Sequence, residues 1–167
     1  MPLLKSGKLV TDPWLHIADE VAIPPCGPVI VSLARWCEER DELINQKKFV
    51  GVRLKAEQTA SEVAADLGHL GVVALAFKTF RDGRAYSNAQ RLRERYRYRG
   101  ELRAIGNILP DQYLFMLRCG FDALEVKAGE TEATWQKAIN AISNAYQPAA
   151  SDDKPLLMSL RDHQWQQ

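Results

Sequence analysis

Short runs of β-branched and other apolar residues alternate along the chain with longer segments of helical periodicity. Five such runs predict strands at residues 29–33, 49–54, 72–77, 101–106 and 121–126. The run at 72–77 is apolar throughout, as in a strand that is buried on both faces. Between the runs, the apolar spacing predicts helices at residues 34–46, 60–70, 86–97, 110–119 and 131–146. Gly120 follows the fourth of these helices, at a position that favours a left-handed residue.

Each predicted strand is followed by a helix, and successive strands begin roughly twenty to thirty residues apart, the spacing of βα repeats. Such repeats form parallel sheets with right-handed crossover connections. The sequence therefore predicts an α/β fold with a parallel sheet of about five βα units and helices on its faces. Two arrangements fit this number of units: a flavodoxin-like doubly wound sheet and a half-barrel.

The two ends of the chain differ in pattern from its middle. Residues 1–27 include Pro13, Pro24 and Pro25 and are predicted to form an extended N-terminal arm. Residues 28–147 carry all the predicted strands and helices, and so predict a single α/β domain. Residues 148–167 are expected to form a polar C-terminal tail.

The composition narrows the class of protein. Of 167 residues, 46% are apolar and 26% are charged, the balance of a folded globular chain. The net charge of +1 provides no overall field for binding nucleic acid or an anionic membrane. No apolar run is long enough to span a bilayer, and the first residues lack the apolar core of a secretory signal. We therefore expect a cytoplasmic protein with no membrane or nucleic-acid partner.

Motifs for cofactors and metals are absent from the sequence. Cys26, Cys37 and Cys119 are widely separated. Cys37 and Cys119 are expected to be small buried hydrophobic residues. Glycine-rich phosphate loops, nucleophile elbows and zinc-ligand patterns are also missing. We therefore predict no cofactor and no metal. Of the three histidines, His16 falls in the predicted arm and His69 at a helix end.

The most polar loop lies between the third predicted strand and its helix, where ligands of parallel sheets bind. Asp82 and Gly83 form a strong turn dipeptide that brings Arg84 and Ser87 to a helix start. A guanidinium and free helix amides favour an anion. The loop after the next strand adds three polar candidates to this predicted ligand site: Asn107, Asp111 and Gln112. For Asp111, simple capping of a helix is the alternative.

Eight arginines lie between Arg81 and Arg103, against three acidic residues. Helical spacing places Arg91 and Arg95 on one face with Arg84 and Asn88. Three interpretations remain open: a solvated helix face, docking against an acidic protein, and contact with phosphate or nucleic acid. We expect Arg91 and Arg95 to bind a partner.

Four ordered segments resemble the bacterial family called domain of unknown function 934. They are the segments at residues 80–87, 92–96, 100–106 and 111–123, and the likeness extends over about residues 28–130. Members of that family are labelled as oxidoreductases involved in sulfite reduction, and their genes lie beside the haemoprotein subunit of sulfite reductase. Ala85 and Asn107 depart from the family's usual Gly and Asp. If an acid at position 107 were catalytic, Asn107 could not transfer its proton.

The resemblance implies an accessory protein of assimilatory sulfite reduction that binds sulfite reductase or a neighbouring enzyme through the Arg-rich helix. The alternative is an enzyme or sensor that binds a sulfur- or phosphate-containing anion at the strand ends. An oxidoreductase activity would rest on the family label alone. We also expect two copies to pair as a homodimer.

Overall fold

The computed structural model describes residues 2–45, 49–79 and 81–140. Its strands are Leu3–Lys5 (β1), Lys8–Val10 (β2), Leu15–His16 (β3), Val29–Ser32 (β4), Val50–Leu54 (β5), Leu70–Phe77 (β6), Glu101–Gly106 (β7) and Ala123–Glu125 (β8). Its α-helices are Leu33–Asn45 (α1), Arg84–Gln90 (α2), Tyr113–Arg118 (α3) and Glu132–Asn140 (α4). The predicted C-terminal tail, residues 148–167, lies outside the described residues.

All five predicted strands are present, as β4 to β8, but the predicted helix at 60–70 is wrong. Two short 3₁₀ turns, Ala60–Val63 and Leu67–His69, replace it. Contacts to other elements hold this segment: Asn88 bonds to the Ala60 amide at 3.1 Å, and the Trp36 indole donates to Asp66 at 3.0 Å. Tertiary contacts therefore override the local helical periodicity.

The eight strands form one mixed, mostly parallel sheet in the order β2-β1-β8-β7-β6-β5-β4-β3. Strands β3 to β8 are parallel and lie side by side in chain order, whereas β1 is antiparallel to both β2 and β8. A doubly wound sheet needs a point where the strand order reverses. The six parallel strands have none, so the structure is a half-barrel and the flavodoxin-like alternative is wrong.

Because every crossover runs in the same direction, right-handed connections place the helices on one face rather than on both. Trp36 of α1, Ala89 of α2 and Met116 of α3 share one core with Val52 and Leu75 of the sheet. The opposite, concave face carries a small apolar cluster of Ile30, Val72, Ala74 and Ile105, with Trp14 packed against it. Here Gly51 is required, since a Cβ atom would come within 2.9 Å of Val72.

The first 27 residues differ from the prediction of an extended arm, because they supply three strands of the sheet. Leu4 of β1 is buried in the main core and pairs with Leu124 of β8. Farther along, Arg35 of α1 donates to the carbonyls of Ala18 and Val21 at 2.9 and 2.6 Å. Strand pairing and this guanidinium fix the segment to the domain.

Chain connectivity forces the sheet to curl. Strands β2 and β3 are at opposite edges, and in a flat sheet seven spacings of about 4.8 Å would separate them by about 34 Å. The five residue steps from Val10 to Leu15 span at most about 18 Å. Consistent with strong curling, His16 on β3 lies 2.6 Å from Glu125 on β8 across the concave face. We call the gap between the β2 and β3 edges the seam.

The cysteine prediction holds only for Cys119. This residue is buried, and its burial raises the pKa of its thiol to about 11. Cys37 is exposed, which corrects the expectation for that residue, and Cys26 is exposed as well. On α1, helical spacing turns Leu33, Trp36 and Leu43 toward the core, and Cys37 falls on the outer side.

A charged network occupies the concave face between the apolar cluster and the seam. Arg103 of β7 has no exposed surface and donates to Asp12 at 2.6 Å, Glu101 at 2.8 Å and Glu125 at 3.1 Å. The network extends to His16 through Glu125 and to Lys5, whose ammonium lies 2.9 Å from Glu101. These six residues, the interior network, join β1, β3, β7 and β8.

We predict that Arg103→Met lowers the free energy of unfolding by about 3–5 kcal/mol, because it leaves three carboxylates without their central cation. Urea unfolding at neutral pH measures this loss. Arg53→Met on β5, two strands away from β7, is the matched control, since Arg53 is only half-buried; we expect it to lose about 1 kcal/mol or less. Equal losses in both variants would contradict the role given to Arg103.

Acidification should weaken the same network. Burial alone would raise the pKa of Glu125, but hydrogen bonds and charge from His16 and Arg103 lower it below its ordinary 4.5. A carboxylate with a lowered folded-state pKa stabilises the fold above its unfolded pKa, and this contribution is lost as the pH falls through the folded value. The stability difference between the wild type and Glu125→Gln should therefore be largest near neutral pH and shrink below pH 4.5. A difference independent of pH, in unfolding curves, would disprove this assignment.

Candidate functional site

The loop that the sequence predicts to bind an anion contains an ion pair between Asp82 and Arg84, which occupies the Arg84 guanidinium. Asp82 accepts hydrogen bonds from the Arg84 guanidinium at 2.9 and 2.6 Å, and from the Arg84 amide at 3.2 Å. These bonds lower the pKa of Asp82 to about 2. The carboxylate thus takes the guanidinium and the first helix amide, the groups that an external anion would need. Gly83 and Ser87 are exposed beside this pair.

The three candidates after β7 have largely structural contacts. Asn107 donates to the Lys78 carbonyl at 2.8 Å and so links the ends of β6 and β7. Gln112 accepts the Leu109 amide at 3.2 Å, which makes Gln112 the side chain that caps this turn. Asp111 is exposed, and within the described residues no hydrogen bond or ion pair joins it to Asp82 or Arg84.

A small pocket of about 250 Å³ lies at the C-terminal ends of the parallel strands. Its walls include Thr79 after β6, Asn107 to Leu109 after β7, and Lys127 after β8. Of the predicted ligand residues, only Asn107 lines it. The accessible lining is mostly apolar, and the polar groups at its walls are an amide, a hydroxyl and an ammonium, which can bind a small anion.

The arginines of the 81–103 segment divide by contact. Arg103 is buried in the interior network, and Arg84 is paired with Asp82. Arg93 donates to the carbonyls of Tyr98, Gly100 and Gly120 at 2.7 to 2.9 Å and pairs with Asp122. Four others are exposed and form no ion pair within the described chain: Arg91, Arg95, Arg97 and Arg99. We call these four the arginine surface.

A defined backbone holds the arginine surface. After α2, the chain makes a π-helical turn in which the Tyr96 amide bonds to the Arg91 carbonyl at 3.0 Å. The Tyr98 hydroxyl donates to the Leu70 carbonyl at 2.9 Å and anchors the next residues to β6. Arg97 has a positive φ of 54° between these two fixed points. Single π turns of this kind are frequent at functional sites.

Helical spacing misassigned one residue of this segment. Asn88, expected on the face of Arg91 and Arg95, is buried and bonds to the Ala60 amide and the Gln58 carbonyl. The π turn also shifts the residues after Gln90 relative to an ideal helix. Gly120, predicted to adopt a left-handed conformation, has a φ of 98°, and Arg93 passes where its Cβ atom would be.

A further cavity lies at the seam, which sequence analysis did not identify as a site. It measures about 660 Å³, and its polar lining includes Thr11, Asp12, His16 and Glu125. The sequence places His16 and Glu125 more than a hundred residues apart, in two segments whose proximity depends on the curl. The one local signal is Asp12 and His16 flanking Trp14 in a segment without helical periodicity.

Metal ligands are not grouped in the described part of the chain, where no three His, Cys, Asp or Glu side chains could hold an ion together. Among the described helices, none has the length and apolar character needed to cross a membrane.

Comparison with known proteins adds the family. The family model described as "Bacterial protein of unknown function (DUF934)" matches residues 51–157. Comparison with curated proteins found no significant match to the chain. The match begins inside β5, so it covers the arginine surface and both strand-end loops but not the seam residues Asp12 and His16. Since it spans more than half of the 167 residues, this chain belongs to the bacterial DUF934 family.

Proposed function

We propose that this protein is an accessory component of assimilatory sulfite reduction that docks on an acidic partner through its arginine surface. The observation that carries the proposal is the placement of Arg91, Arg95, Arg97 and Arg99. Residues 91–99 contain these four exposed arginines and a single acidic residue, Glu94, which is also exposed. Arginine is enriched in protein interfaces because its planar guanidinium pairs with carboxylates and stacks on aromatic rings.

Local backbone geometry supports docking over a merely solvated helix face. Arg95 stacks over the Tyr96 ring at 5.7 Å, which limits the freedom of its side chain. Arg93 links the segment after the π turn to Gly120 and Asp122, which directly precede β8. A fixed cationic surface loses less side-chain entropy on binding than a flexible one.

The proposed partner is the haemoprotein subunit of sulfite reductase. This assignment rests on the family resemblance in the sequence, whose members are linked to sulfite reduction. The docking mechanism requires an acidic surface on that enzyme and no cofactor in this chain. Charge complementarity of this kind raises the association rate and makes it sensitive to salt.

We predict that Arg91→Glu/Arg95→Glu weakens binding to purified sulfite reductase haemoprotein at least about tenfold, since opposed charges become like charges. Surface plasmon resonance at two salt concentrations measures the loss and its salt dependence. The matched control is Lys55→Glu/Lys78→Glu, two exposed lysines at the C-terminal ends of β5 and β6. Each replacement subtracts two charges, so both double variants have a net charge of −3 in place of +1.

The control separates a local surface from overall charge. Equal loss in the two double variants would point to non-specific attraction. Failure of the wild-type protein to bind the haemoprotein would exclude this partner and, with it, the proposed place in sulfite reduction.

A second candidate function, binding of a small sulfur- or phosphate-containing anion, is favoured by the strand-end pocket. Lys127 supplies the cation there, with Asn107 and Thr79 beside it. The Asp82–Arg84 pair makes the neighbouring loop a weaker candidate for the same ligand.

Lys127→Ala should therefore reduce binding of sulfite and of phosphate at least about tenfold, the effect of losing a charged hydrogen-bond donor. Arg84→Ala is the control and should change binding little, because its guanidinium already pairs with Asp82. Isothermal titration calorimetry measures both. A larger loss of anion affinity in Arg84→Ala than in Lys127→Ala would place the anion site in the loop at residues 82–87, as the sequence predicts.

A further inference from the structure

The seam cavity has the size and lining of a small-molecule site. Its volume of about 660 Å³ is within the usual range of about 300–1,000 Å³ for such sites. Leu9 and Val10 of β2 face Trp14 and Leu15 across it. Most ligand sites likewise combine apolar walls with a few polar groups that fix the ligand's orientation.

One hydrogen-bond acceptor at this cavity, Glu125 Oε2, has no donor among the described residues. Glu125 uses Oε1 for both His16 and Arg103. Within the described chain, no donor reaches its Oε2, although the Glu125 side chain is only 8% exposed. No buried side-chain oxygen or nitrogen is without a partner in the described residues. Oε2 is therefore accessible, and the space beside Glu125 is this cavity.

His16 lies beside this acceptor. Its Nε2 is 2.6 Å from Glu125 Oε1, and its side chain is 29% exposed. Glu125 has a lowered pKa and is ionised near neutral pH.

The charge around this acceptor is negative. The interior network has two fixed cations, Lys5 and Arg103, against three carboxylates, Asp12, Glu101 and Glu125. The carboxylates therefore outnumber the fixed cations by one. No lysine or arginine is among the described residues that line the cavity.

We propose that the seam cavity binds a small organic cation, an amine with an apolar body, whose ammonium group donates to Glu125 Oε2. The ammonium offsets the excess of carboxylates over the fixed cations Lys5 and Arg103 in the interior network. The apolar part contacts Leu9, Val10 and Leu15, and the Trp14 ring adds an aromatic surface that attracts cations. An anion is disfavoured because it would meet the carboxylates of Asp12 and Glu125.

This site differs from both candidates for the proposed function. The arginine surface and the strand-end pocket attract negative groups, whereas the seam cavity attracts a positive one. Binding of an amine at the seam can therefore succeed or fail independently of sulfite reductase docking.

Three probes of the same shape and different charge test the proposal: benzylammonium, benzyl alcohol and benzoate. The full-length protein is titrated with each at neutral pH, where an alkylamine is protonated and a carboxylic acid is ionised. Two-dimensional NMR follows the Trp14 indole N–H signal, which reports on the cavity. We expect benzylammonium to bind at least about tenfold more tightly than benzyl alcohol, as expected for a hydrogen bond between charged groups, and benzoate not to bind.

Variants locate the site. Glu125→Gln retains the shape of the side chain and removes its charge, so benzylammonium should bind at least about tenfold more weakly. Glu94→Gln is the matched control, an exposed carboxylate on the π turn, and should bind as the wild type does. Thr11→Trp places a bulky side chain at the cavity and leaves every charged residue of the network unchanged. It should abolish binding, and it tests the site even where Glu125→Gln fails to fold.

Equal affinity for the three probes, or no benzylammonium binding at millimolar concentration, would overturn the proposal. So would undiminished binding by Thr11→Trp. Loss of binding in both Thr11→Trp and folded Glu125→Gln, with Glu94→Gln unchanged, would establish the seam cavity as the amine site.

Discussion

The short connection between β2 and β3 is the constraint on which the structure depends. Four residues join two strands that occupy opposite edges of an eight-stranded sheet, so the sheet cannot be flat. The curl brings β3 within reach of β8 and turns one face of the sheet inward. Side chains that a flat sheet would leave in solvent then meet across the concave face, and Arg103 becomes fully buried among Asp12, Glu101 and Glu125.

The burial of Arg103 among these carboxylates determines where positive and negative charges lie in this protein. An isolated buried guanidinium is costly, but three carboxylates and the resulting hydrogen bonds offset the cost. Because the carboxylates outnumber the fixed cations, the concave face attracts positive charge toward the seam. The arginines on the helix side have the opposite effect, since Arg91, Arg95, Arg97 and Arg99 lie outside the core. A chain with a net charge of only +1 thus has two surfaces of opposite sign.

How much the sequence predicts follows from the range of the interactions involved. Strand runs such as 72–77 and the left-handed Gly120 depend on neighbouring residues, and the structure confirms both. The observed structure of residues 60–70 depends on contacts with Asn88 and Trp36, which lie far away in sequence. Local periodicity therefore predicted a helix where two 3₁₀ turns form. The anion loop was identified from residue types alone, but spacing could not show that Asp82 would occupy Arg84.

The sequence did not reveal the seam cavity because this cavity depends on contacts between residues that lie far apart in the chain, such as His16 and Glu125. Proline spacing in residues 1–27 indicated an extended arm, and an arm with no partner offers no site. His16 becomes a candidate only when it is opposite Glu125, and this requires the strand order as well as the curl. Net charge also concealed the site, because a sum over the chain cancels the arginine surface against the interior carboxylates. When the parallel strands of a sheet follow chain order, the residues before the first βα unit can pair with either edge of the sheet, as β1 pairs with β8 and β3 with β4. Polar residues in such a segment are therefore better judged by the strands they can reach than by their neighbours in sequence.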